Sequence, residues 1–122
     1  MLGGKIFNRE TGRMAEEAAG RYLEGLGYEV IMRNYHTRYG EIDLICRNNN
    51  ILVFIEVKAK RGGLFGRPEE MFTRYKYEKV KRMGEVYLKG KNVPCRIDMV
   101  AVELDGDNVV KALRHYPGVV LD

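Results

Sequence analysis

Gly40-Glu41-Ile42-Asp43-Leu44-Ile45, interrupted by Asn48-Asn49-Asn50 and resumed as Phe54-Ile55-Glu56-Val57-Lys58, decides the fold of this chain. Both runs read as β-strands, and side chains in a strand alternate between faces. Glu41 and Asp43 therefore share one face of the first strand, and Glu56 and Lys58 share one face of the second. Asn tolerates positive φ, so Asn49-Asn50 suits a tight hairpin loop. In that register Asp43 lies opposite Glu56, and Glu41 lies opposite Lys58. Cross-strand neighbours on one face approach to about 4.5–5.5 Å between Cβ atoms, where like charges repel. Something positive must sit between Asp43 and Glu56: a metal ion, Lys58, or both.

The opposite face of the hairpin carries Ile42, Leu44 and Cys46 against Val53, Ile55 and Val57, and is expected to face a core. The charged face is apolar near the turn, through Ile45, Leu52 and Phe54. Charge is confined to its far end. That pattern describes a buried sheet with a polar cluster at one end rather than a solvated ribbon.

Outward from the hairpin, the chain of 122 residues is one domain spanning 1–122, with residues 1–8 expected to form a flexible lead-in. Cys46 and Cys95 are far apart and fall in apolar runs, so two buried thiols in a reducing compartment are expected. The N-terminus lacks a signal-peptide core and no run is long and apolar enough to span a membrane, so a cytoplasmic protein is expected. Net charge is +4, but residues 58–91 hold eleven Lys or Arg against four Glu, a balance of +7 that leaves −3 elsewhere. Such a basic half suits either a polyanion-binding surface or a solvated, charge-rich helix.

Residues from about 10 to 26 read as an amphipathic helix with Ala15, Ala19, Tyr22 and Leu26 on its buried arc, and Gly27 as its stop. Rotation of 100° per residue sends Glu17 into water and leaves Glu16 at the rim of that arc, within reach of a sheet end. Tyr28 to Tyr35 reads as a strand, followed by the basic turn His36-Thr37-Arg38-Tyr39-Gly40. After Lys58 the glycines and basic residues of Ala59 to Pro68 suggest a mobile loop beside the charged end of the sheet. A second helix ends near residue 89 and begins at about 69 or 74, Pro68 and Thr73 being rival start signals. Its buried stripe is Val80, Met83, Gly84 and Tyr87. Lys76 lies on the same stripe, and either snorkels to solvent or points into a site. Two strands follow, Cys95 to Leu104 and about Val109 to Tyr116. A helix, three strands, a second helix and two last strands argue for an α/β sandwich around a mixed sheet.

Two carboxylates across a hairpin, a nearby lysine and a third carboxylate on a helix make a sensible divalent-cation site. Magnesium prefers oxygen ligands and keeps positions for water and phosphate, and Mn²⁺ is a plausible substitute. Asp43 and Glu56 are the expected direct ligands, with the Val57 backbone carbonyl as another and Glu16 acting through water. Lys58 is placed to orient the attacking water or to stabilise charge on a phosphate. Other charged groups have plainer readings. Glu41 pairs with Lys58 or the basic loop, Asp98 is a structural partner of Arg96 or of the basic loop, and His36 and His115 sit on the surface.

The spacing of Asp43 to Glu56-Val57-Lys58, at the end of an apolar strand, resembles the Asp…(Asp/Glu)-x-Lys signature of the restriction-endonuclease-like nuclease superfamily. Ile42 stands where a proline often precedes the aspartate. Gly12-Arg13-Met14-Ala15-Glu16 resembles the acidic first helix of archaeal Holliday-junction resolvases, with their glutamate at Glu16. Over about residues 8 to 116 the chain resembles the YraN-like family of small bacterial proteins. The resemblance is carried by Arg33-Asn34-Tyr35, Gly40 to Ile45, Phe54 to Lys58, Phe65-Gly66-Arg67-Pro68-Glu69-Glu70, Lys76 and Arg96-Ile97-Asp98. It implies a restriction-endonuclease-like α/β/α sandwich around a central mixed β-sheet and a Mg²⁺-dependent endonuclease acting on structured DNA. Arg38, Lys60, Arg61, Arg67 and Lys76 are then expected to contact phosphates. A homodimer is also expected, because resolvase-like proteins often pair two sites across a two-fold axis. The alternative is a nucleic-acid-binding or adaptor protein of the same fold that does not cut.

Overall fold

In the computed structural model, residues 2–62 and 66–121 are described, with side chains from residue 9 onward. The loop expected after Lys58, from Ala59 to Pro68, falls in part on residues 63–65, outside the described residues, and the lead-in expectation falls on residues 1–8, whose side chains are not described. The first helix, α1 (Leu2–Gly25), starts earlier than the expected residue 10. Strands β1 (Glu29–Thr37), β2 (Gly40–Asn48) and β3 (Ile51–Arg61) follow, then a 3₁₀ turn at Pro68–Met71, α2 (Arg74–Leu88), β4 (Cys95–Leu104) and β5 (Val110–Tyr116). The sheet order is β1-β2-β3-β4-β5, antiparallel except for the central β3–β4 pair, which is parallel and joined through α2. Helices on both faces of this mixed sheet give the expected α/β/α sandwich.

The hairpin forms in the predicted register, from Asn48 opposite Ile51 to Leu44 opposite Ile55. Its loop residues Asn49 and Asn50 adopt φ of 50° and 69°, the conformation that a tight turn demands and Asn tolerates. One face of the sheet packs Leu44, Cys46, Val53, Ile55, Val100 and Val102 against Ala15, Ala19 and Leu23 of α1. The other packs Ile45, Phe54, Ile97, Met99 and Ala101 against Tyr77, Val80 and Met83 of α2. α2 lies very close to the sheet at Gly84, where a Cβ would come 2.7 Å from the buried Phe54 ring. Both rival start signals operate: Pro68 opens the 3₁₀ turn, and the Thr73 side chain caps α2 by accepting from the Lys76 N–H at 3.3 Å.

Four expectations are corrected here. Ile42 joins the α2 side rather than sitting with Leu44: strict alternation fails between them, just where the β2–β3 ladder ends at Leu44 and Ile55. Tyr22 and Leu26 are exposed, since the buried stripe of α1 runs Ala15, Ala19, Leu23 at four-residue steps. Cys95, at the first residue of β4, is exposed, whereas Cys46 is buried with its thiol pushed up to about 12 by burial. Lys60 and Arg61 belong to β3, which runs on beside β4 to Arg61, and not to the loop.

Candidate functional site

The hairpin ladder gives out where its charged residues begin. At the position after Leu44, Asp43 turns its carboxylate to the neighbouring strand, where Oδ2 accepts the Val57 N–H at 2.7 Å. Glu56, buried on β3, faces it across this notch. Burial first, then the adjoining Glu56 carboxylate, hold the Asp43 carboxyl well above its ordinary range, with Glu16 adding to the effect and the Val57 N–H opposing it. The notch lies midway along the parallel β3–β4 ladder, at Glu56 beside Met99 and Val57 beside Val100, where the β2–β3 pairing has already ended at Leu44 and Ile55. An apolar groove of about 360 Å³, lined in part by Phe54, Cys95, Ile97 and Val119, occupies the N-terminal end of the same strands and holds no carboxylate cluster.

Helical rotation selects the third acid as expected. Glu16 reaches the notch, while Glu17 faces solvent and pairs with Arg13 at 2.9 Å and Arg21 at 3.8 Å. Carboxylate oxygens of Glu16, Glu41 and Asp43 lie within 4.8 Å of one another. With its amide oriented to satisfy both partners, Asn34 donates to Glu41 at 2.6 Å and to Glu16 at 3.1 Å. Glu16 is pushed up to about 7, mainly by burial and then by Glu41 and Glu56, against a smaller opposing pull from Arg33.

Glu41 is the residue that sequence reasoning misplaced. It does not pair with Lys58; it joins Glu16 and Asp43, with His36 Nδ1 3.8 Å away on its outer side. Lys58 instead pairs with Glu56 at 3.1 Å, both side chains being largely buried. Alternation alone put Glu41 and Asp43 on one face, which was the available signal. The cross-strand partner drawn for Glu41 failed because the strands part company beyond Leu44.

Lys76 points into the site rather than out to solvent. Its amine stands beside that of Lys58, whose positive charge lowers its pKa, with burial adding to the effect and Glu56 opposing it. Lys58 and Lys76 border a pocket of about 210 Å³ with Glu41 and Glu56. Lys60 and Arg61 line a second groove, with Glu16 and Val57, on the α1 side. Arg38 sits in the β1–β2 turn beside Tyr39. Arg67 is engaged with Glu69 at 3.4 Å, and no described contact brings it to the notch.

A second polar cluster lies on the α1 side. Asp98 is fully buried, accepting from Tyr28 at 3.1 Å, Arg96 at 2.9 Å and the Gly118 N–H at 2.9 Å, and lying 2.8 Å from His115. His115 is thus a buried partner rather than the surface residue expected; pairing across β4 and β5 places it there. Asp98 is held below the usual carboxylate range by its hydrogen bonds from His115, Arg96 and Gly118, which outweigh burial. With every oxygen engaged, it reads as structural.

The fold and site together define a mixed-sheet α/β sandwich protein with an acidic notch and a lysine pair where β2 parts from β3. The chain belongs to the uncharacterised protein family UPF0102, whose family model matches residues 15–102. It is 48% identical over 83 residues to the UPF0102 protein of Syntrophomonas wolfei, covering 68% of this chain and 72% of that one. The UPF0102 protein of Pelotomaculum thermopropionicum is 41% identical over 108 residues, 86% of this chain and 90% of the relative. That of Dictyoglomus turgidum is 34% identical over 113 residues, covering 90% and 96%. Among the described residues no helix is long and apolar enough to cross a membrane.

Proposed function

We propose that this protein is a metal-dependent nuclease of the restriction-endonuclease-like superfamily, hydrolysing phosphodiester bonds in structured DNA. The observation that carries the reading is the convergence of Glu16, Glu41, Asp43 and Glu56 in one notch, with Lys58 and Lys76 on one side. The donor set suits a hard divalent cation such as Mg²⁺ or Mn²⁺. All of its side-chain donors are oxygens; burial first, then the neighbouring carboxylates, hold Glu16 and Asp43 above their ordinary range, and a bound cation offsets the mutual repulsion. Asp43, Glu41 and Glu56 would hold it, with Glu16 and the Val57 carbonyl completing the set. When bound, the cation supplies Lewis-acid stabilisation of charge growing on the phosphate.

The remaining work falls to the chain. Asp43 is fixed by the Val57 N–H, so one carboxylate oxygen is tied down and the other is left to a ligand. Lys58, steadied by Glu56, orients the attacking water and offsets developing negative charge. Lys76, beside it, takes a non-bridging phosphate oxygen. Two ammonium groups side by side repel, and a phosphate between them relieves that repulsion. Lys60 and Arg61 extend the positive surface along β3 for the flanking backbone.

The test is cleavage of a substrate panel of linear, flapped and four-way DNA with Mg²⁺ or Mn²⁺, alongside metal titration. Wild type is expected to cut, and Asp43→Ala and Lys58→Ala to lose at least a hundredfold in rate while melting as folded proteins. Asp43→Ala also loses metal binding. A wild type inert on every substrate, with metal binding unchanged by Asp43→Ala, refutes the reading.

A further inference from the structure

Beside the notch, the outward row of α2 places Tyr75, Lys79 and Arg82 at i, i+4 and i+7, one stripe of the helix. Tyr75 is 69% exposed and Tyr39, in the β1–β2 turn, is 39% exposed. Each ring carries a cation: Lys79 Nζ lies 5.2 Å from the Tyr75 centroid, and Arg38 and Arg82 lie 5.1 and 6.0 Å from that of Tyr39. Three cation–ring contacts thus fall on this one ledge. The Arg82 contact joins helix to turn and makes the two tyrosines parts of one surface. The ledge runs directly into the pocket holding Glu56, Lys58 and Lys76, which Tyr75 and Lys79 also line.

A large aromatic ring left in water gains nothing by burial, and a solvated cation over it adds only about 0.5–1 kcal/mol. The same pair of groups has a much larger use against a strand of unpaired nucleotides, whose bases stack on rings while phosphates take the cations. Stacked duplex bases have no face to offer. Seven residues of helix cover about 10 Å, enough to engage more than one unstacked nucleotide.

We propose that the Tyr39–Tyr75 ledge binds single-stranded nucleic acid, delivering a strand with unstacked bases to the acidic notch. The proposal takes its direction of travel from the nuclease reading and sharpens the substrate to one with a single-stranded arm or unpaired branch point. On binding, phosphates draw Lys79, Arg82 and Arg38 from the ring faces, and bases occupy them.

The experiment is fluorescence anisotropy in EDTA, which prevents cleavage, with a labelled oligothymidine, a labelled oligouridine and a blunt duplex. Wild type is expected to bind the single strands at least tenfold more tightly than the duplex. Tyr75→Ala and Tyr39→Ala are each expected to weaken single-strand binding by roughly five- to a hundredfold, the range of one lost base stack, and to change duplex binding less than twofold. Tyr75→Phe, which keeps the ring, restores binding. Equal affinity for single strand and duplex, or single-strand binding unmoved by both alanine variants, overturns the proposal. Preference for oligouridine over oligothymidine assigns the ledge to RNA, and the reverse assigns it to DNA. Because anisotropy needs no catalysis, an inert wild type whose single-strand binding depends on both tyrosines defeats the nuclease reading alone. An active enzyme indifferent to them defeats the ledge alone.

Discussion

Raising pH should destabilise the metal-free protein through Glu16, and a divalent cation should restore what is lost. The Glu16 carboxyl is pushed from its ordinary 4.5 to about 7, chiefly by burial and then by the charges of Glu41 and Glu56. An acid whose folded pKa is raised contributes stability that is complete below about pH 4.5 and lost as pH climbs through about 7. At about 1.4 kcal/mol per pH unit the ceiling is about 3 kcal/mol, and since Glu16 is only partly buried, solvent screening reduces it to about 1 kcal/mol. Asp43 moves in the same direction. For a domain of this size 1 kcal/mol corresponds to roughly 4 °C in melting temperature. The assay is thermal melting in EDTA from pH 5 to 7.5 for wild type and Glu16→Gln, repeated with Mg²⁺. Wild type is expected to lose about 4 °C more than Glu16→Gln over that interval, and Mg²⁺ at pH 7.5 is expected to recover it in wild type and less in the variant. Comparison with Glu16→Gln removes other groups titrating in the window. Identical pH slopes for the two proteins would refute the electrostatic account of the notch.

Two further outcomes concern the scaffold. Gly84→Ala places a Cβ 2.7 Å from the Phe54 ring, so α2 must lift or the ring must move; a loss of about 1–3 kcal/mol is expected in denaturant unfolding. Asp98→Ala strips a buried carboxylate from Tyr28, Arg96, His115 and Gly118, and is expected to cost about 3–5 kcal/mol while leaving the midpoint of metal titration in place. Altered metal affinity in Asp98→Ala would instead tie the second cluster to the first.

Local rules read most of this fold correctly. Asn49-Asn50 set the hairpin and its register, since two residues of positive φ permit one tight loop. A rotation of 100° per residue separated Glu16 from Glu17, and the same rotation put Lys76 on the inward face of α2. The failures come from contacts that no local pattern encodes. Alternation fails between Ile42 and Leu44, and Glu41 lost its drawn partner, both where β2 leaves β3. His115 is buried because β5 lies against β4, a pairing between segments whose meeting is settled by the sheet as a whole. Tyr22 and Leu26 fit an amphipathic arc as well as Leu23 does; four-residue steps along a close-packed helix decided between them.

The hairpin's early end has a kinetic side. A two-residue loop closes quickly, on the order of microseconds for a hairpin, whereas the parallel β3–β4 pairing must wait for the whole α2 crossover to be gathered in. A ribbon zipping from Asn49-Asn50 gains apolar pairs from Cys46 with Val53 to Leu44 with Ile55, and at the next step meets carboxylate against carboxylate. Like charges there oppose further zipping. The notch is thus the part of the hairpin that local folding leaves open, to be completed only when α1 brings Glu16 and α2 brings Lys76.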